Sequence, residues 1–221
     1  MLIDNGIEII YEDEAIVVIY KPSMLASETD KVGSPDVVST LRNHYTVNGG
    51  AKYIYLVHRL DQPVEGVMVL AKTKEAANIL SRQITDHKFV KKYYAIITRE
   101  SFPNEGVLED YMIKDARTNL AKVTSKADPR GKYAKLKYTV AKEWDDRRIL
   151  DITLFTGRHH QIRLQLASRT APILGDVKYG GQKTDRPLAL CSYNLIFNHP
   201  VTGELKSFTI EPKGEDFLGV N

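Results

Sequence analysis

Hydrophobic and polar positions change period several times along the chain, and each change predicts an element. Ile7-Glu-Ile-Ile-Tyr11 alternates, whereas Ala15-Ile-Val-Val-Ile-Tyr20 is continuously apolar and β-branched, so two short strands or a hairpin are predicted, stopping at Lys21-Pro22. Ser34-Pro35-Asp36 reads as an N-cap, a proline at the first helical position and an early carboxylate. Val37, Val38, Leu41 and Tyr45 follow at helical spacing, a helix of about three turns. Tyr53 to Val57 predicts a strand running into His58-Arg59-Leu60-Asp61, and Val67 to Ala71 predicts the next, which leaves the polar motif on a loop. Thr73 can cap a helix with Ala76, Leu80, Gln83, Ile84 and His87 on one face. Tyr93 to Thr98 and Ile149 to Phe155 read as half-buried strands. His160 to Ala167 reads as a short helix with Ile162 and Leu166 inward, and Gly175 to Gly181 as a glycine-bracketed turn. Strands outnumber helices and do not alternate with them regularly. The predicted class is therefore α+β, a mainly antiparallel mixed sheet flanked by helices and loops. With no internal repeat or long linker, a single domain over residues 1–221 is expected, with room for two lobes.

Composition narrows the function classes. At 221 residues, 43% hydrophobic and 27% charged, the chain is neither collagen-like nor wholly disordered. It has no run of eighteen apolar residues and no signal-peptide pattern, so a cytoplasmic protein without a membrane partner is expected. The lone Cys191 excludes an internal disulfide and a cysteine-cluster metal site. The net charge of +3 hides an asymmetry, because residues 1–36 carry eight acidic and two basic side chains. The basic excess lies in the rest, most densely in Lys114, Arg117, Lys122, Lys126, Arg130, Lys132 and Lys135. A polyanion partner is compatible with that run, as is an ordinary solvated loop or hairpin.

Three clusters can carry chemistry. His58-Arg59-Leu60-Asp61 puts three ionisable groups on a loop, with Gly66 allowing a tight return, although Arg59 and Asp61 could equally pair in a surface turn. Gly157-Arg158-His159-His160-Gln161-Ile162-Arg163 packs cations around a helix start, an anion-attracting arrangement or simply a basic surface. Adjacent histidines rarely face one ion, and no ligand spacing completes a metal site. Lys91-Lys92-Tyr93-Tyr94-Ala95 interleaves cations with aromatics, a composition that can hold phosphate and stack on a base. No GxxxxGK[ST] or GxGxxG pattern occurs, so neither a nucleotide cofactor nor a metal is expected.

In this order the motifs resemble a family. EDEAIVVIYKPS, HRLD followed by Gly66 and Val67-Met-Val-Leu-Ala-Lys72, KKYYA, GRHHQIRLQLA (157–167), PILGDVKYGG (172–181) and FNHP (197–200) are similar to an RluA-type pseudouridine synthase over residues 7–212. The resemblance implies a pseudouridine synthase-like fold with two lobes around a central cleft, in the compact form without an N-terminal S4 module. It implies isomerisation of uridine to pseudouridine in structured RNA, ribosomal slightly favoured over transfer RNA. Asp61 matches the catalytic aspartate, Tyr93 the active-site tyrosine and Arg163 the arginine ending the HQIR motif. His58, Arg59, Lys91, Lys92, Arg158 and His160 are the candidate substrate-binding residues, and a monomer with RNA as its only required partner is the expected state.

The chain departs from the family pattern at several positions. Val64-Glu65 replaces a usual Thr-Ser, Met24 a glycine and Ser192 an alanine, while Gln165 and Cys191 stand where histidines are frequent. Glu65 is expected to repel a nearby phosphate. That substitution supports the main alternative, a noncatalytic RNA-binding protein of the same fold; a uracil-releasing hydrolase is a second, and metal-assisted phosphodiester hydrolysis lacks the ligands.

Overall fold

The computed structural model describes residues 1–31, 33–50, 53–98, 102–144 and 146–217. The chain forms two units, Met1–Val90 with Ser192–Pro212, and Lys91–Cys191 with Lys213–Asn221. The first contains β1 (Glu8–Glu12), β2 (Ile16–Lys21), α1 (Val37–Val47), β3 (Tyr55–Leu56), β4 (Glu65–Ala71) and α2 (Lys74–Thr85). The second contains most of β5 (Val90–Ile97), then β6 (Glu105–Asp115), β7 (Leu120–Thr124), β8 (Lys132–Glu143), β9 (Arg148–Leu154) and α3 (Gln161–Ala167). β10 (Leu190–Asn198) enters the first unit at Ser192 and is followed by β11 (Leu205–Thr209). Every strand pair with a described register is antiparallel, and with three α-helices among the described residues this is the expected α+β class. No helix among them is long and apolar enough to cross a membrane.

In the first unit the strand order is β1-β2-β4-β10, with β3 on β4 and β11 on β10. Every residue of β2 and β4 is buried, as their unbroken apolar runs demand of strands covered on both faces. α2 lays Ala76 and Leu80 into a cluster with Ile16, Val18, Val67, Val69, Phe89 and Phe197. Thr73 caps α2 as predicted, its hydroxyl accepting the Ala76 N–H at 3.1 Å. His87 falls outside that helix, two residues past its end, in a left-handed conformation with φ 56°.

α1 starts later than predicted. The Asp36 carboxylate accepts the Ser39 N–H at 2.7 Å, and the Ser39 hydroxyl accepts the Asp36 N–H at 3.2 Å. That reciprocal box satisfies two orphan donors at once, so Asp36 is the cap rather than Ser34. β3 is also shorter than predicted, because only Tyr55 and Leu56 find partners on β4. The FNHP motif is a brace. His199 places Nε2 2.8 Å from Asp13 Oδ2 while its Nδ1 accepts the Thr202 N–H at 3.1 Å, tying the β10–β11 turn to the β1–β2 turn.

In the second unit the order is β5-β9-β8-β6-β7. The basic stretch from Ile113 to Lys135 lies on β6, β7 and β8, with β6 between the other two. Lys122 pairs with Asp115 at 2.6 Å, Arg130 with Asp128 at 3.0 Å and Lys135 with Glu109 at 2.9 Å. Exposed pairs of this kind are screened by solvent, so they trim the local positive field more than they hold the strands together. α3 is buried on more sides than its pattern predicts. Besides Ile162 and Leu166, its Gln161, Arg163, Leu164 and Gln165 are buried, with Leu164 packed against Met112, Ala121 and Ala134.

Candidate active site

Asp61 stands half-buried on the loop joining β3 to β4, and the segment after β2 grips that loop by its backbone. On one side of Asp61, the Ser27 hydroxyl donates to the Leu60 carbonyl at 2.8 Å and accepts the Leu60 N–H at 3.1 Å. On the other side, Lys21 Nζ donates to the Gln62 carbonyl at 3.2 Å and the Ser23 hydroxyl to the Pro63 carbonyl at 2.9 Å. The turn closes with the Val64 N–H on the Asp61 carbonyl at 3.0 Å. Met24, which accepts from Gln62 Nε2 at 3.2 Å, has φ 67°, the left-handed region that accounts for a glycine being usual there. His58 accepts the Val69 N–H on Nε2 at 3.1 Å and packs its ring on Phe89, so it braces the loop from β4, while Arg59 is exposed.

Lys21 is fully buried, and its ammonium also donates to the carbonyls of Pro22 at 2.9 Å and Leu25 at 2.6 Å. Burial pushes its pKa down to about 7, against the opposing pull of the Asp61 and Glu65 carboxylates. Glu65 is only 4% exposed and accepts the Tyr20 hydroxyl. Glu65 was expected to repel a nearby phosphate from a loop, and it is instead a buried strand residue. Its carboxylate is turned into the first unit, where Lys21, paired with Gly66 across β2 and β4, offsets its charge.

The shifted lysine has a measurable consequence. Between a folded pKa near 7 and the usual 10.5, the unfolded chain binds the Lys21 proton and the folded chain does not. The penalty for burying this ammonium is thus fully present below about 7 and is relieved as pH rises, so Lys21 makes stability climb with pH. Lys21→Met is expected to flatten the rise in urea midpoint between pH 7 and pH 9. An unchanged slope in the variant would show that Lys21 remains charged throughout.

In the second unit, Lys91 and Tyr93 lie on one face of β5, opposite Leu154 and Ile152 of β9, and both are buried. Lys92 points the other way, opposite Thr153, and is half-buried. The two adjacent lysines are therefore not equivalent. Lys91 Nζ lies 3.2 Å from where a Cβ on Gly157 would stand, so the glycine leaves room for the ammonium.

The GRHHQIR segment folds around a buried polar chain. Gln161 Oε1 accepts the Arg158 N–H at 3.1 Å and the Thr156 hydroxyl at 2.8 Å, while its Nε2 donates to Gln165 Oε1 at 3.0 Å. Gln165 Nε2 donates in turn to Asp110 at 2.7 Å, and Arg169 to the same carboxylate at 2.6 Å. Gln165, at a position where histidine is frequent, is a middle link of that chain. Arg158 is exposed and donates through Nε to the Tyr133 carbonyl at 2.8 Å. His160 is buried with φ 52°, its Nδ1 2.8 Å from the Tyr179 hydroxyl.

Arg163 is 4% exposed and forks onto Asp176, Nε to Oδ2 at 2.8 Å and Nη2 to Oδ1 at 2.7 Å. The sequence reading did not give roles to Lys21, Ser23, Ser27, Asp176 or Tyr179. For all but Ser27 the signal lay inside YKPS and GDVKYG, motifs quoted for a resemblance, and nothing in propensity or periodicity distinguishes a gripping serine from a solvated one.

The first unit holds a carboxylate on a doubly clamped loop, and the second, taken by itself, holds a buried tyrosine beside a buried lysine and a buried forked arginine; each group is of a type that serves acid–base or nucleophilic chemistry. Comparison with known proteins gives that chemistry its class. Residues 15–168 match the family model described as RNA pseudouridylate synthase. The chain is 33% identical to the ribosomal large subunit pseudouridine synthase D of Vibrio cholerae, covering 93% of this chain and 67% of that protein. It is 30% identical to the tRNA pseudouridine synthase C of Yersinia pestis, covering 92% and 85%. The solved structure of human RNA pseudouridylate synthase domain containing 4 has the same fold, with a TM-score of 0.77 at 24% identity over 93% of this chain and 88% of that one. By the extent of the family match and of these two sequence relatives, the chain belongs to the RNA pseudouridylate synthase family.

Proposed function

We propose that this pseudouridine synthase acts on ribosomal RNA and that Asp61 is its reacting carboxylate. The observation that carries the second part is the grip on the residues flanking Asp61, from Ser27 on one side and Lys21 and Ser23 on the other. Preorganisation of that kind suits a group that must meet a reacting atom within a few tenths of an ångström. The ribosomal part rests on the likeness to the Vibrio cholerae enzyme.

The isomerisation breaks the bond from ribose C1′ to uracil N1, turns the base and joins C1′ to C5. The C5 proton leaves and N1 gains one, so no oxidant, reductant or added atom is needed. Asp61 either attacks C1′ or removes the C2′ proton, and both require it ionised. Arg163 is the guanidinium assigned to assist that carboxylate. Tyr93 stacks on the uracil and directs its hydroxyl toward the C5 proton. Extruding the uridine costs a few kcal/mol, which phosphate contacts from the exposed Arg59 and Arg158, together with Lys91 and Lys92, offset. His58 and His160 serve the substrate through the loops they hold.

Total RNA from cells lacking the gene, incubated with the purified protein and mapped for pseudouridine, tests this reading. New pseudouridine in large-subunit ribosomal RNA, with no free uracil, is the expected result. Modification confined to transfer RNA would overturn the ribosomal assignment. No new pseudouridine in any RNA would leave a binding protein, and released uracil a hydrolase.

A further inference from the structure

The Gly175–Gly181 turn has no part in the chemistry above, yet two of its side chains sit on Arg163. Asp176 occupies Nε and Nη2 of the guanidinium in the bidentate geometry that fixes a planar fork in two dimensions. Tyr179 covers its face, with Cζ 5.2 Å from the ring centroid. The phenol is itself held, its oxygen accepting the Ala121 N–H at 2.7 Å and standing 2.8 Å from His160 Nδ1. One backbone turn carries both groups. The Asp176 carbonyl accepts the Tyr179 N–H at 3.1 Å and the Gly181 N–H at 2.8 Å. Gly181 has no room for a side chain, since a Cβ there would stand 2.3 Å from the Ile173 carbonyl oxygen.

The charges decide between two explanations of this arrangement. If Arg163 served only as a source of positive potential, a buried carboxylate in its fork would work against it by cancelling much of its field. As a source of stability the pair is also poor, because desolvating both ions offsets most of their attraction. What the carboxylate and ring do supply is orientation, reducing a long side chain with several rotatable bonds to one pose. We propose that Asp176 and Tyr179 are positioning residues that set the guanidinium of Arg163 for the reaction. This rests on the reading that Arg163 assists the reacting carboxylate.

A double-mutant cycle in kcat tests it, with thermal melts run on each variant. Asp176→Asn keeps the shape and removes the charge, and is expected to lower kcat by about 10- to 100-fold, the scale of a misoriented catalytic group, with KM unchanged within about threefold. In an Arg163→Met background the same Asp176→Asn change should leave kcat unaltered, and should raise the melting point by removing a stranded buried carboxylate. Equal kcat losses from Asp176→Asn in both backgrounds, or none with Arg163 present, would overturn the positioning role. An Arg163→Met variant with normal kcat would instead remove Arg163 from the reaction, a distinct failure. Should Arg163→Met not fold, Tyr179→Leu and Tyr179→Phe keep the test open. The leucine variant should lose kcat at constant KM and the phenylalanine variant recover most of it, whereas equal kcat in the two would overturn the role of the ring.

Discussion

Asp61→Asn is expected to reduce pseudouridine formation by about four orders of magnitude or more, the scale on which loss of a reacting group acts. The protein should nevertheless melt within about 1 kcal/mol of the parent. The asymmetry follows from what holds the loop. Leu60, Gln62, Pro63 and Val64 are fixed through their backbones, by Ser27, Lys21, Ser23 and the Asp61 carbonyl, and none of these bonds uses the Asp61 side chain. Arg163 keeps Asp176 as a partner in the variant, so no buried guanidinium is stranded. Removing the carboxylate does take away one of the two anions that favour the charged form of Lys21, so the Lys21 pKa should fall further. Pseudouridine yield and RNA affinity measured on one preparation decide the matter. Lost turnover with affinity unchanged within about threefold identifies a group that acts only in the transition state, whereas normal turnover removes Asp61 from the chemistry.

The largest effect on stability is expected from Gly66→Ala. Gly66 has φ 138°, and a Cβ there would lie 2.4 Å from the Ser192 carbonyl oxygen and 2.6 Å from its nitrogen. Those are backbone atoms of the neighbouring strand, so relief requires β4 and β10 to move apart in the middle of the sheet. Backbone strain and overpacking together are expected to cost about 3 kcal/mol or more, a fall of roughly 6–12 °C in melting temperature for a chain of this size. Because β4 follows directly on the Asp61 loop, activity should fall with it. Gly203→Ala is the control, since Gly203 also has positive φ, 72°, but nothing within 4 Å of its Cβ direction. It should cost only about 1 kcal/mol. Equal losses in the two variants would mean that backbone conformation alone, and not the contact with Ser192, requires the glycine.

The strands were legible only in part, since β6, β7, β8, β10 and β11 were not singled out in the sequence. β2 and β4 could be read from unbroken apolar runs, and β9 from the alternation of Leu150, Ile152 and Leu154, because burial imposes those periods directly on the residues. The cap of α2 was legible for the same local reason, since Thr73 need reach only three residues. The start of α1 was misplaced because Ser34 and Asp36 are both good caps by type. Only the reciprocal bonds with Ser39 choose between them.

The amino-acid order by itself determined the α+β class, the loop position of Asp61 and, through motifs in register, the family. It could do so because periodicity and motif order are properties of neighbours along the chain. What only the tertiary structure decided depends on partners far apart in sequence. Glu65 was expected to repel a nearby phosphate and is a buried carboxylate bonded to Tyr20, 45 residues away. Lys21 looked like the polar end of a strand and is a buried ammonium reaching a carbonyl 41 residues on. Lys91 and Lys92 were indistinguishable until β5 turned one inward, and Asp176 acquired a role only when it met Arg163. A charged side chain is solvated or buried according to what folds over it, and that is not written in its immediate neighbours.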